Sequence, residues 1–288
     1  MPMRICWTVW WIWHWRIIMD NRPIGVFDSG MGGLTTVREL RKQLPGEDII
    51  YFGDTGRVPY GTKSRQTLMK YARQDIRFLL QFDPKAIVVA CNSADTVRAA
   101  VAPEFDVPIL GVVESAARAA AAATVSGKIG LIATETTIRS GVYEPILQAL
   151  RPDAVLKKQA CPLFVPLVEN GRTEPGDPVL ELVVEEYLSP LRDWNCDTLI
   201  LGCTHYPLLS QVIGNFMGKT TKLINSGAEA AESLVRYLES EDLLSAPAHR
   251  GEYRYYVSDA PDSFAGLAKG FLGRELDGTV EQVEIGQF

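Results

Sequence analysis

The chain has 288 residues, 47% of them hydrophobic and 22% charged, which suits a soluble globular protein of one large domain or two ordinary ones. A formal net charge of −6 excludes a global positive field that would gather nucleic acid or anionic lipid, and leaves room for a local basic pocket that holds a small anion. The five cysteines (Cys6, Cys91, Cys161, Cys196 and Cys203) are odd in number and contain no CxxC pair, which argues against a disulfide framework and against zinc-finger spacing.

The N-terminus is unusual. Five of the six tryptophans fall between Trp7 and Trp15. The apolar run is shorter than the ~20 residues of a spanning helix, and His14 and Arg16 interrupt it. A signal peptide would want a small-residue cleavage site, and none precedes the first strand. Residues 1–21 therefore read as a nonessential extension, with a peripheral membrane anchor as the sharper alternative. A compact domain is expected to begin near Asp20-Asn21-Arg22-Pro23.

From there, short apolar runs alternate with longer amphipathic segments. Residues 24–27 predict a strand, followed by a glycine turn and a helix at 34–43. A second strand is expected at 48–52 and a helix at 64–82. The run Ala-Ile-Val-Val-Ala at 86–90 reads as a strand covered on both faces. A strand at 108–112 leads to an alanine-rich helix at 115–123. A second series follows, with a strand at 128–133, a helix at 137–150, and one or two strands within 154–167. It continues with a helix at 178–191, a strand at 198–201, a short helix at 206–216, a strand at 222–224 and a helix at 228–238. A strand at 253–257 and a helix at 264–272 close the chain. This alternation predicts an α/β fold with parallel-rich sheets in two similar units. The first unit is expected to take residues 22–115 plus 226–288, and the second 116–225, with the site in the cleft between them.

Ligands of open α/β sheets sit beyond the carboxyl ends of the strands. That rule selects Asp28-Ser29-Gly30, residues 54–61, Cys91-Asn92-Ser93 and Cys203-Thr204-His205. Gly30-Met31-Gly32-Gly33 lies between a strand and a helix, where exposed N–H groups suit an anion. It is no dinucleotide fingerprint, because the last position of that frame is Thr35. On the glycines alone, a plain turn capped by Asp28 or Ser29 is the favoured reading. Pro59-Tyr60-Gly61 alone is only a turn. The two cysteine sites carry more weight. Each has an apolar strand, then a cysteine, then two hydrogen-bonding side chains. One such cysteine is more often a buried small hydrophobe, as expected for Cys161 and Cys196. Two in equivalent places point to a functional pair. Inverting a stereocentre through a carbanion needs a base on one face and an acid on the other. A thiolate and a thiol fill those roles, since free cysteine titrates at ~8.5. Asp28, Glu169 and His205 are placed to hold or relay the proton, and no lysine context demands a pyridoxal cofactor.

The segments 24–34, 59–61, Cys91-Asn92-Ser93-Ala94 and Leu-Gly-Cys-Thr-His-Tyr-Pro (201–207), in this order, resemble the glutamate racemases of the aspartate/glutamate racemase family. The resemblance covers roughly residues 22–288. It implies two α/β domains, no metal and no cofactor, and a cytoplasmic enzyme that converts L-glutamate to D-glutamate for peptidoglycan. It assigns substrate binding to Asp28, Ser29, Tyr60, Gly61, Asn92, Ser93, Thr204 and His205. Cys91 and Cys203 become the acid/base pair, and Glu169 supports the second of them. A homodimer is the expected assembly; membrane contact through the extension is not favoured. Ser93 stands where the family usually has Thr, and it keeps the hydroxyl. Asp95 stands where Ser is usual, and is expected to place a negative charge near the first thiol. Aspartate racemases typically carry Thr-Glu after the second cysteine, so Thr204-His205 favours glutamate.

Overall fold

A computed structural model of the chain describes residues 19–288. The tryptophan-rich run, with the extension and anchor readings attached to it, lies outside the described residues. The strands are β1 (Ile24–Asp28), β2 (Ile49–Gly53), β3 (Ala86–Val89), β4 (Ile109–Gly111), β5 (Lys128–Ala133), β6 (Val155–Ala160), β7 (Thr198–Gly202), β8 (Lys222–Asn225), β9 (Tyr253–Val257) and β10 (Val280–Gln282). They form two sheets, ordered β10-β9-β2-β1-β3-β4 and β6-β5-β7-β8. Every pairing between them is parallel. The chain is an α/β protein with helices between parallel strands, as the alternating pattern predicts.

The two sheets share one local order. In the first, β2 pairs on one side of β1 and β3 on the other. In the second, β6 and β7 flank β5 in the same way. Each sheet thus has a switch point, β1/β3 in one and β5/β7 in the other, where adjacent connections leave in opposite directions and open a crevice. The central strands β1, β2, β3 and β7 are buried along their whole length. One continuous apolar cluster joins Ile24, Val26 and Val88 of the first sheet to Ile132, Leu199 and Leu201 of the second. That shared core fixes the two crevices relative to one another.

Local chemistry sets the helix starts. Ser64 accepts the N–H of Thr67 and opens the helix Arg65–Leu80. Asp177 caps the helix Pro178–Asp193, with proline at its first position. Two expectations need correction, and a third is narrowed. The helix read over 137–150 is two, Glu135–Ser140 and Tyr143–Leu150, because Gly141 adopts a left-handed φ of 66° between them. The stretch 154–167 holds one strand, β6, within the one or two expected. Its apolar second half forms the short helix Phe164–Glu169, since a four- to six-residue apolar run fits either structure. The helix read at 264–272 also does not close the chain: β10 adds an edge strand with little apolar patterning, and a 3-10 turn at Ile285–Gln287 follows it. No helix among the described residues is long and apolar enough to cross a membrane.

Candidate active site

Both switch points open into one cavity of about 380 Å³. Cys91 lies just beyond β3, at the N-cap of the helix Asn92–Asp95, and Cys203 directly follows β7. Both thiols line the cavity, and both residues are buried, at 6% and 7% exposure. Ser29 and Gly30 contribute from the end of β1, and Thr204 and His205 from the turn after β7. The four strand-end segments chosen from sequence therefore converge on one space.

The walls are held by hydrogen bonds that cross between the sheets. Ser93 Oγ lies 2.9 Å from Thr134 Oγ1, and Asn92 Nδ2 donates to the Tyr143 hydroxyl at 3.1 Å. Thr35 Oγ1 donates to the Thr204 carbonyl at 2.9 Å. Gly61 sits so close to Thr134 that an added Cβ would lie 2.9 Å from the threonine Cβ. Tyr60 borders the cavity, but its hydroxyl points away, to Asp54 and Asp75. Its contribution to the cavity is therefore its backbone and ring rather than its hydroxyl. Asp28 is fully buried behind the cavity wall, where it accepts the Gly30 N–H at 3.0 Å and faces Thr204 Oγ1 at 3.5 Å.

The two thiols have different surroundings. Burial pushes the Cys91 thiol well up, and the Asp28 carboxylate adds to the push. The Ala94 N–H and Ser29 hydroxyl only partly offset this. Cys203 instead has a basic neighbour, with its Sγ 3.9 Å from His205 Nδ1. His205 Nε2 lies 3.0 Å from Glu169 Oε1, whose side chain is 41% exposed. Burial pulls the His205 imidazolium down, but hydrogen bonds to Cys203 and Glu169 and the charges of Cys203 and Asp28 outweigh it, raising its pKa to about 10. Cys203, His205 and Glu169 thus form a hydrogen-bonded chain from the cavity to an exposed carboxylate. Burial pushes the Asp28 carboxyl up, against the opposing His205 charge and backbone N–H groups.

Asp95 departs from expectation. It does not line the cavity. The Asn92–Asp95 turn carries its side chain to the far side, where Oδ2 accepts the Val113 N–H at 2.7 Å. Oδ1 pairs with Arg98 Nε at 2.8 Å. Gly111 leaves the space it needs, since a Cβ there would overlap its carboxyl. Asp95 is a cap for the helix Val112–Ala123 delivered from a neighbouring element. Asp95→Ala is expected to lower the unfolding free energy by about 2–3 kcal/mol, because it strands a buried N–H and removes the shorter of the two ion pairs of Arg98, leaving Glu114 at 3.3 Å. A urea curve reads that loss; the folded variant is expected to keep its specificity constant.

The sequence reading missed Thr134, although it follows the β5 strand end where the same rule applies. It also missed Pro162, in the turn after β6, and Val165 and Pro166, which the helix Phe164–Glu169 brings to the cavity beside Glu169. Cys161 and Cys196 are buried in the apolar core. Among the described residues, no group of three or more His, Cys, Asp or Glu is placed to hold a metal ion.

Comparison with known proteins bears on this geometry. The sequence profile of the Asp/Glu/Hydantoin racemase family matches residues 33–268. The chain is 46% identical over 268 residues to a glutamate racemase of Geobacter metallireducens, covering 93% of this chain and 98% of that protein. It is 47% identical over 271 residues to one from Neisseria meningitidis serogroup A, covering 92% and 96%. A crystal structure of the Francisella tularensis glutamate racemase in complex with D-glutamate superposes with a TM-score of 0.86 at 38% identity. It covers 94% of this chain and all of that one.

Proposed function

Because the chain belongs to the Asp/Glu/hydantoin racemase family, we propose that this racemase interconverts L- and D-glutamate with two cysteines and no cofactor. The observation that carries the reading is that two thiols, at equivalent switch points of two sheets, line one small cavity. One thiolate removes the Cα proton, and the thiol on the opposite face returns a proton to the carbanion. The reverse reaction exchanges their roles. The α-ammonium of bound glutamate supplies the positive charge that the Cys91 side lacks, so its thiolate forms with substrate in place. On the other side, His205 and Glu169 hold and relay the proton of Cys203. Asn92, Ser93, Thr204, Ser29 and the backbone at 60–61 hold the carboxylates and ammonium, and Asp28 orients Thr204 and the Gly30 turn. In this reading the cleft lies between a unit of residues 22–115 plus 226–288 and one of 116–225. The enzyme acts as a cytoplasmic homodimer that supplies D-glutamate for peptidoglycan.

Substrate choice tests the assignment to glutamate. Shortening the side chain by one methylene draws the distal carboxylate away from fixed donors in the wall. Each buried donor left unpaired costs about 1–3 kcal/mol, which is roughly one to two decades in kcat/KM. Specificity constants for L-glutamate and L-aspartate on one preparation are expected to differ by that factor in favour of glutamate. A ratio near one, or in favour of aspartate, would overturn the substrate while leaving the two thiols untouched.

A further inference from the structure

We propose that the Asp54 and Asp75 carboxyls share one proton, carried by Asp75, and that the cluster they form with Arg57 and Tyr60 positions the 59–61 wall of the substrate cavity. The side chains of Asp54 and Asp75 are fully buried, and Tyr60 is 1% exposed. The Tyr60 hydroxyl bonds Asp54 Oδ2 and lies 3.1 Å from Asp75 Oδ2. A phenol has one proton to give. With both carboxyls ionised, one of these contacts would set lone pair against lone pair in a buried site, at a cost the fold does not bear without compensation.

Arg57 does not relieve the shortage. Its Nε lies 2.6 Å from Asp54 Oδ2, its Nη1 2.6 Å from Gln74 Oε1, and its Nη2 3.0 Å from Asp75 Oδ1. The missing donor is therefore a carboxyl proton. Asp54 Oδ2 already receives the guanidinium and the phenol, which marks it as the anion. Asp75 Oδ2 meets only the phenol oxygen, so the proton sits there and is donated to Tyr60. The cluster then holds one cation and one anion. Burial pushes Asp75 well up, and the Asp54 charge adds to it while Arg57 opposes. Burial likewise keeps the Tyr60 phenol protonated. The Arg57 guanidinium also stacks 4.0 Å over the Tyr71 ring.

The consequence lies in the cavity. Residues Pro59, Tyr60 and Gly61 line it, and the Tyr60 side chain is their anchor to this cluster. Asp54 also ties the cluster to the end of β1, its N–H donating to the Asp28 carbonyl at 3.0 Å. The positioning role rests on the cavity being the glutamate site; the proton assignment does not.

The test uses the purified full chain, with infrared difference spectra and steady-state kinetics on L-glutamate. Wild type minus Asp75→Asn is expected to show the carbonyl band of one protonated carboxylic acid. Asp75→Ala is expected to raise KM about tenfold with a smaller change in kcat, as a displaced wall would. Asp75→Asn is expected to rescue KM to within about threefold, because its amide donates to Tyr60 and accepts from Arg57 as the protonated acid does. Asp54→Asn is expected to give no such rescue, since it removes the one counter-charge of Arg57. Absence of the acid band from the difference spectrum overturns the proton assignment. A natively melting Asp75→Asn no better than Asp75→Ala overturns the positioning role. Should Asp75→Ala fail to fold, the band and the KM of Asp75→Asn decide. A wild-type chain inert toward glutamate that still shows the band refutes the proposed function and upholds the proton.

Discussion

Cys91→Ala and Cys203→Ala are each expected to lower the rate of glutamate racemisation by at least about 10³-fold, towards the upper end of what a positioned acid or base contributes. The size follows from the roles. In the proposed mechanism each direction of the reaction uses one sulfur as base and the other as acid, so either substitution would disable both directions. No neighbour replaces Cys91, whose flanking side chains Asn92 and Ser93 neither accept nor deliver a proton near neutral pH. His205 lies beside Cys203, but its ring is held between the sulfur and Glu169. Alanine removes little volume from either wall, so circular dichroism and the melting curve are expected to stay close to wild type. Racemisation assayed by optical rotation checks the result. Full activity in either variant would remove that thiol from the mechanism.

Gly32→Ala is expected to be nearly as damaging, at a residue with no chemistry of its own. Gly32 is the point where the turn after β1 meets the turn after β7. A Cβ at this position would lie 2.6 Å from His205 Nδ1 and would also overlap the Thr204 hydroxyl. Both side chains can yield only into the cavity that they line, since they are packed on their other sides. Thr204 is 6% exposed and His205 5%, and the His205 ring packs edge-on to Phe271 at 5.3 Å. The methyl group therefore displaces the imidazole from Cys203. A shift of about 1 Å in a catalytic constellation costs on the order of 10²-fold. The expected result is that loss in kcat. Gly266→Ala is the control. It lies in the helix Pro261–Leu272, where an added Cβ meets nothing within 4 Å. Its expected effect is a slight gain in stability and no change in kcat.

Much of this site was legible in the sequence because parallel strands bring their carboxyl ends to one side. Four segments chosen for following apolar runs meet in one cavity, and the cysteines are the residues that face it. What remained hidden depends on direction and on distant partners. Asp95 stands four residues after Cys91, and its charge was expected at the thiol. The helical turn Asn92–Asp95 sends it instead to Val113, a partner 18 residues away. Thr134 escaped notice because a threonine after a strand carries no reactive group to draw attention. Its role depends on facing Ser93 across the cleft. Glu169 was named as a proton holder, but the element that carries it was not, since the apolar residues before it suit a strand as well as the short helix that they form. The break at Gly141 and the edge strand β10 lacked a periodic signal of their own.

The central claim is that two separate groups, on opposite faces of Cα, handle the proton. Racemisation of L-glutamate in heavy water, stopped at low conversion and read by mass spectrometry of each enantiomer, tests it most directly. The thiol that delivers the proton has exchanged with solvent before the substrate arrives; for Cys203, His205 and the exposed Glu169 provide the route. The D-glutamate formed is expected to carry close to one deuterium at Cα, while the recovered L-glutamate stays protiated. D-glutamate that retains the substrate's own proton, or recovered L-glutamate that gains deuterium as fast as product forms, would contradict the two-thiol account and point to a single base serving both faces.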